Sequence, residues 1–300
     1  MGVRWAAEES GHMNDRTSGA FRSFWEDTGE RFPDLSGAPS TDYYLECEKA
    51  LVRECLSPLA GKRVLKTDLW DEAKNSRILV WMKSRGARVF GIDISLAILR
   101  RARASFSGPR PGPGFIVSDL RGVGFAGGSF DAVYSMGTME HFPEYPLAVR
   151  ECLRLLKPGG LAVFGVPNKL DPFLRPFMVM ILNRLGLYAY GREKSFTPGG
   201  LERLLRREGF RVLRRTGILF LPGWLRMAEL WVHGRRPGLS FLFRPLIAPF
   251  SFLYFRYPGL RRHGYLTVCL AEKPASLPSV GRAPGRAVRA SARCSAARGG

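Results

Sequence analysis

Between Arg63 and Val166, short β-rich runs alternate with helical stretches, and this rhythm restricts the fold more than any other feature of the 300-residue chain. The runs are Arg63-Val-Leu-Lys-Thr67, Ala87-Arg-Val-Phe-Gly-Ile92, Gly114-Phe-Ile-Val117, Phe130-Asp-Ala-Val-Tyr-Ser135 and Leu161-Ala-Val-Phe-Gly-Val166. Strands separated by helices pair in parallel, because a crossover of that length is what returns the chain to begin a parallel neighbour. In the last crossover Val149, Cys152, Leu153 and Leu156 recur at spacings of three and four, which places them on one helical face over Glu144 to Leu156. Lys157-Pro-Gly-Gly160 should end that helix, since proline cannot continue it and glycine tolerates a left-handed exit. A lead-in helix is expected over Asp42 to Leu59, with Tyr43, Tyr44, Leu51, Val52 and Leu56 inward. Another is expected over Pro198 to Phe210, with Leu201, Leu204 and Leu205 inward. Two late runs, Arg211-Val-Leu-Arg214 and Tyr265-Leu-Thr-Val-Cys-Leu-Ala271, would close the sheet as an antiparallel pair. The fold class is therefore α/β: a doubly wound, mostly parallel sheet of seven strands.

A chain with 45% hydrophobic and 24% charged residues can bury a full core, which excludes disorder throughout. The expected domain spans residues 42–273. Residues 1–41 form an N-terminal extension, partly disordered, in which Met13 could serve as an alternative start. Residues 274–300, with mainly Ala, Arg, Gly, Pro and Ser and no acid, cannot form a core and read as a disordered basic tail. The five cysteines are scattered, without a Cys-x-x-Cys pair or a histidine at ligand spacing, so no metal and a reduced, cytoplasmic compartment are expected. No apolar run of signal-peptide length opens the sequence. Charge is uneven: residues 1–168 hold 22 Lys+Arg against 20 Asp+Glu, and residues 169–300 hold 24 against 6. The basic C-terminal part suggests an anionic partner, either a phospholipid surface or RNA, although a solvated basic face gives the same composition.

In an open parallel sheet, ligands bind beyond the carboxyl ends of the strands, where strand order reverses. After the second run, Gly91-Ile-Asp93-Ile-Ser95 sets a carboxylate where ribose hydroxyls are held in nucleotide-binding folds, and the alternative is a helix cap. After the third, Asp119 in Ser118-Asp119-Leu120 could accept from the amine of an adenine. The long block from Phe125 through Asp131, Ser135-Met-Gly-Thr-Met-Glu140-His141-Phe142, Arg150-Glu151 and Lys157-Pro-Gly-Gly160 to Pro167-Asn168 closely resembles the class I S-adenosylmethionine-dependent methyltransferases, particularly those acting on small molecules, quinones and lipids. The resemblance runs from about Gly61 to Asn168, with echoes at Tyr190-Gly-Arg-Glu-Lys-Ser-Phe196 and Glu208-Gly-Phe210.

That resemblance implies a Rossmann-like methyltransferase fold with a C-terminal helical lid, from about 169 to 197 and 216 to 262, and S-adenosyl-L-methionine as cofactor. Asp93, with Ile94 beside it, would hold the ribose, Asp119 and Leu120 the adenine, and Ser135, Met136 and Gly137 would wall the methionine portion. Methyl transfer from a sulfonium depends largely on in-line positioning in a dry pocket, and a base is needed only for a protonated acceptor. His141 is the candidate base, weighed against a histidine that merely orients its loop; Glu140 reads as a helix-start residue.

The first loop departs from the family pattern of an acidic residue followed by Gly-x-Gly-x-Gly. Here Val64-Leu-Lys66-Thr67-Asp68-Leu-Trp70-Asp71-Glu72 contains no glycine. Lys66 stands at the acidic position, and Asp68, Trp70 and Glu72 stand where the glycines would. Two explanations compete: a rerouted loop in which Thr67, Asp68 or Glu72 meets the cofactor, or a decayed site that only binds a ligand or partner. Retention of Asp93, Asp119 and the loop after the fourth strand favours the first.

Downstream, Phe173 to Tyr190 and Ile218 to Phe255 mix aromatics, aliphatics, Arg and Pro as interfacial segments do, and arginines interrupt each run before it reads as a membrane span. A small or lipid-like acceptor with peripheral contact at the inner membrane face is the expectation, weighed against an ordinary apolar lid. An RNA acceptor is the weakest reading, because no strand interleaves base-stacking aromatics with Lys and Arg.

Overall fold

Alternation along the strands builds both faces of the central sheet. In β1 (Arg63–Lys66), Val64 packs into one core and Leu65 into the other; in β4 (Phe130–Met136), Ala132 and Tyr134 face the first and Val133 the second. The computed structural model describes residues 15–106, 112–191 and 193–275. The basic tail beyond 275 and Met13 lie outside them.

The remaining strands are β2 (Arg88–Asp93), β3 (Gly114–Val117), β5 (Leu156–Pro167), β6 (Arg211–Ile218) and β7 (Leu266–Glu272). Their order is β3-β2-β1-β4-β5-β7-β6; β1 to β5 run parallel, and β7 pairs antiparallel with both β5 and β6. The seven-stranded, doubly wound sheet is thus as the sequence implied. Order reverses between β1 and β4, which sets the ligand crevice beside the first loop.

The helices are α1 (Asp15–Arg31), α2 (Pro39–Leu56), α3 (Trp70–Lys74), α4 (Ile78–Ser84), α5 (Leu96–Ala104), α6 (Tyr145–Leu155), α7 (Arg175–Arg184), α8 (Pro198–Arg207), α9 (Gly223–Arg235) and α10 (Arg244–Arg256). Buried side chains of α2, α4 and α5 fill the first core; those of α6 and α8 fill the second.

Three boundaries differ from expectation. α2 begins at Pro39, where proline suits a first turn that needs no amide donor. Lys157-Pro-Gly-Gly160 belongs to β5 rather than to a turn before it: the backbone is already extended at Leu156, which pairs with Phe130, and the register slips before Leu161 pairs with Ala132. The N-terminal extension is also less separate than expected. Glu26 of α1 accepts from the amides of Leu96 and Ala97 at 2.8 and 2.9 Å, capping the exposed donors that open α5.

Candidate active site

The glycine-free first loop is built on a buried cation. Lys66 has no solvent exposure, and its ammonium lies 3.0 Å from Asp68, 3.1 Å from Asp71 and 3.2 Å from Glu72. Burial opposes charge on Lys66, but these carboxylates and Glu48 outweigh it and hold the pKa well above the usual lysine value. Glu48 on α2 accepts from the Tyr134 hydroxyl at 2.9 Å and from Ser76, and burial holds its carboxyl well above the ordinary range. Burial likewise raises Glu72 to about 7, although Lys66 and the Leu79 amide oppose the shift. Side chains thereby do the shaping that bare glycine backbone would otherwise do.

Hydroxyls tie this loop to β4. Thr67 Oγ1 donates to Ser135 at 2.9 Å and lies 2.9 Å from Thr138, whose hydroxyl donates to Asp68 Oδ2 at 2.6 Å. Asp93, at the end of β2, accepts from the Leu69 amide at 2.9 Å and from the Ser95 amide at 2.8 Å. Ser95, not Asp93, is the cap of α5, accepting from the Ile98 amide at 3.1 Å. Burial raises the Asp93 pKa to about 7, against those two hydrogen bonds.

Around these groups lies a continuous cavity of about 200 Å³. Of the cofactor residues expected from sequence, Thr67, Asp68, Asp93, Ile94, Leu120, Met136 and Gly137 line it. Asp119 and Ser135 do not. The Asp119 carboxylate is held by Arg121 through Nε and Nη2, which keeps its pKa low despite partial burial, and Ser135 instead braces Thr67. In this stretch the cavity is lined by Ser118, Leu120 and Ile98 rather than by the Asp119 carboxylate. Gly137, at φ +77°, adopts a conformation that leaves the backbone bare at the cavity wall.

A sulfonium nucleoside fits this donor set. The Asp93 carboxylate keeps lone pairs for ribose hydroxyls, an apolar slot of Ile94, Ile98, Leu120 and Phe142 suits a purine, and Asp68 and Asp71 supply negative charge near a cation. Lys66 lies beneath the loop and away from the cavity, while Trp70 forms one wall, edge-on to Trp25, Phe32 and Tyr190. Neither fills it.

His141, Tyr188, Tyr190 and Tyr265 add aromatic rings to the cavity wall. His141 packs edge-on to Trp25 of α1, with centroids 4.9 Å apart. Glu140 does not cap a helix. It is 5% exposed, lines the cavity with Oε2 lacking a hydrogen-bond partner, and burial holds its carboxyl well above the ordinary range. Arg175 pairs with Glu193, donates to Tyr188 at 3.2 Å and stacks 4.2 Å from the Tyr265 ring centre. Sequence reasoning had marked Tyr190 to Phe196 only as an echo and had missed Phe21, Trp25, Arg175 and Arg226. No local pattern links those four, because α1, α7 and α9 meet only in the folded chain.

Comparison with known proteins agrees with this geometry. Residues 73–164 match the methyltransferase-domain family. A ubiquinone biosynthesis O-methyltransferase of Thiobacillus denitrificans is 32% identical over 174 residues, covering 55% of this chain and 72% of the relative. One from Sinorhizobium fredii is 29% identical over 247 residues, 77% of this chain and 94% of the relative. A 2-methyl-6-phytyl-1,4-hydroquinone methyltransferase of Synechocystis is 31% identical over 158 residues; the match spans only 48% of that protein. Among solved structures, an S-adenosylmethionine-dependent methyltransferase from Mesorhizobium loti superposes with a TM-score of 0.54 at 19% identity, covering 76% of this chain and all of its own. A Haloferax volcanii putative methyltransferase, solved with the Trm112 activator, gives 0.58 at 17%, covering 84% and 97%. At such identities the structures speak for the fold alone, while the sequence relatives carry the family assignment: this chain belongs to the class I S-adenosylmethionine-dependent methyltransferases.

Proposed function

We propose that the acceptor is a small lipophilic molecule with an aromatic hydroxyl, methylated on oxygen beside the aromatic rings of the cavity wall. The observation that carries this is that one cavity is lined both by Asp93 and Gly137 and by His141, Tyr188 and Tyr265. When bound, S-adenosylmethionine supplies an electrophilic methyl group. Asp93, Ile94 and Leu120 would hold the nucleoside, and Asp68 would supply negative charge near the sulfonium. Trp25 and Phe142 exclude water, which strengthens electrostatic interactions inside the site. His141 takes the acceptor's hydroxyl proton. The relatives named for hydroquinone and ubiquinone methylation support an acceptor of this class. Incubation with S-adenosylmethionine and a panel of prenylated hydroquinones and catechols, read by mass spectrometry, should give products heavier by one methylene. Cofactor binding with no product from any of them would overturn the acceptor assignment and leave the family assignment standing.

We further propose that the protein lies at the cytoplasmic face of an anionic membrane. Pro237–Arg256 is 20 residues with mean hydropathy 1.4, long and apolar enough for a span by length and composition, contrary to the expectation that arginines exclude one. Yet Ile247 and Tyr254 are buried, and Tyr254 packs edge-on to Tyr43 of α2. Pro249 also interrupts α10. Such a segment suits lying in an interface better than crossing it. Leu242, Leu246, Phe252 and Phe255 are exposed, with Arg235, Arg236, Arg244 and Arg256 around them for lipid phosphates. Cosedimentation with phosphatidylglycerol vesicles tests this; a protein that stays in the supernatant would end it.

A further inference from the structure

Arg226 projects from α9 into the cavity and is only 9% exposed, yet among the described residues no carboxylate comes within ion-pairing distance of it. Among the described residues its hydrogen bonding is one long contact, 3.4 Å from Nη1 to the Ser40 carbonyl. Its guanidinium lies 5.3 Å from the Tyr44 ring centre and 5.8 Å from that of Tyr265. The other cations near the site are committed: Lys66 to three acids, Arg121 to Asp119 and Glu144, Arg175 to Glu193. Of the nearby acids, Glu229, one helical turn on, gives Oε2 to the Ser40 hydroxyl and offsets part of the Arg226 charge through space without pairing with it, its Oε1 having no hydrogen-bond partner among the described residues, while Asp71 spends its two oxygens on Asn75 and Lys66.

A guanidinium carries five donors in a planar fork that matches a carboxylate, and stacking on two rings does not supply acceptors for those donors. The arrangement is therefore incomplete without a ligand. We infer that Arg226, flanked by Tyr44 and Tyr265, is the anchor of a carboxylate-binding subsite in this cavity. A carboxylate suits it better than a phosphate dianion, because Asp71 shares the same cavity and would repel the second charge. Two molecules could bring that group: the cofactor, through its methionine end, or an acidic acceptor. The inference rests on the cofactor reading for the first source alone.

The test is calorimetry on the full chain and on Arg226→Met and Arg226→Lys, with S-adenosylhomocysteine, its methyl ester and 5′-methylthioadenosine. If the methionine end is the source, the wild type prefers S-adenosylhomocysteine to the ester by about 10- to 100-fold. Arg226→Met then loses that preference, Arg226→Lys keeps part of it, and 5′-methylthioadenosine binds all three alike. If the acceptor is the source, the preference is unchanged in the variants, while 4-hydroxybenzoate binds the wild type at least about tenfold more tightly than 4-hydroxybenzamide and loses this margin in Arg226→Met. The wild-type pairs alone can only overturn the inference, so Arg226→Gln, which removes the charge and keeps a polar side chain, is the second variant that carries the same comparison should Arg226→Met fail to fold. Equal affinity in both wild-type pairs, or margins that persist in Arg226→Met, overturns the inference. Failure of all three nucleosides to bind would instead overturn the cofactor reading, with the benzoate pair still deciding on Arg226.

Discussion

The Leu69 amide donates to Asp93 Oδ2 at 2.9 Å, so the glycine-free first loop is fastened to the carboxylate at the end of β2. Leu69 itself is fully buried and sits against Gly91, where an added Cβ would come within 2.4 Å of its side chain. One strand end therefore holds both the loop and the expected ribose contact, and disturbing either should be felt by the other.

Lys66 is the keystone of that loop, and restoring the family's acid there should be damaging rather than corrective. Lys66→Asp or Lys66→Met would leave Glu48, Asp68, Asp71 and Glu72 close together with no cation among them. Breaking a buried ion cluster by removing one partner costs about 3–5 kcal/mol. Thermal and urea melts should show a loss of that size for either substitution, and a smaller loss in Lys66→Met than in Lys66→Asp. A melting curve unchanged from the wild type would mean the cluster does not organise the loop.

Asp93 should make cofactor binding depend on pH. Its folded-state pKa of about 7, raised by burial, leaves it partly protonated at neutrality, whereas ribose hydroxyls donate to the ionised form. Binding of S-adenosylhomocysteine should release a proton near pH 7, and affinity should strengthen as pH rises from 5 to 8 and then level off. In the ligand-free chain the sign is opposite. The folded state binds more protons than the unfolded between about 4 and 7, so this residue's contribution to stability falls as pH rises through that window. Calorimetry in two buffers of different ionisation enthalpy measures the proton directly. Asp93→Asn should abolish the release and weaken binding about 10- to 100-fold; a release that survives the substitution assigns the proton to another group.

Much of the sheet was legible because strands buried on both faces, such as Phe130 to Ser135, announce themselves as apolar runs between helical spacings. That Asp93, Met136 and Gly137 line the cavity was legible for a related reason: cavities in such sheets open beyond the ends of the parallel strands, and those ends can be counted. Asp119 was misread because nothing in Ser118-Asp119-Leu120 reveals that Arg121, two residues on, turns back and takes the carboxylate. The role of Lys66 was hidden for the opposite reason. Its partners Asp68, Asp71 and Glu72 are local, but Glu48 arrives from α2 and Tyr134 from β4, so the cluster exists only after packing. The apolar face of α10 could be read as composition, but not as exposure, until Ile247 and Tyr254 were seen to be the side it buries.

That exposed face makes a prediction of its own. Full burial of one phenylalanine is worth about 1.5–3 kcal/mol, so replacing Phe252 and Phe255 by serine should weaken vesicle binding by at least about tenfold. Raising salt should weaken the wild type as well, because the surrounding arginines act through screened charge. The melting temperature should hold for Phe252→Ser alone, whose ring faces solvent, and fall modestly once Phe255, which packs edge-on to Tyr254 and Tyr43, is also replaced. Vesicle binding that ignores both the double substitution and salt would show that a different surface makes the contact.

His141 and Glu140 are neighbours on one turn, and their environments predict opposite sensitivities. His141 lines the cavity and can present a ring nitrogen to a bound hydroxyl, so His141→Asn should lower kcat by about 10²- to 10⁴-fold on any acceptor found by the methylation screen. Affinity for S-adenosylhomocysteine should stay within about twofold, because the nucleoside contacts lie elsewhere. Burial raises the Glu140 pKa well above the ordinary carboxylate range, with Glu193 and Asp68 adding like charge and Arg175 opposing them, which favours the neutral form. A neutral carboxyl is closely mimicked by an amide, so Glu140→Gln should melt and turn over much like the wild type. Were Glu140→Gln to fall as far as His141→Asn, the proton would pass through Glu140, and the assignment of the base would move by one residue.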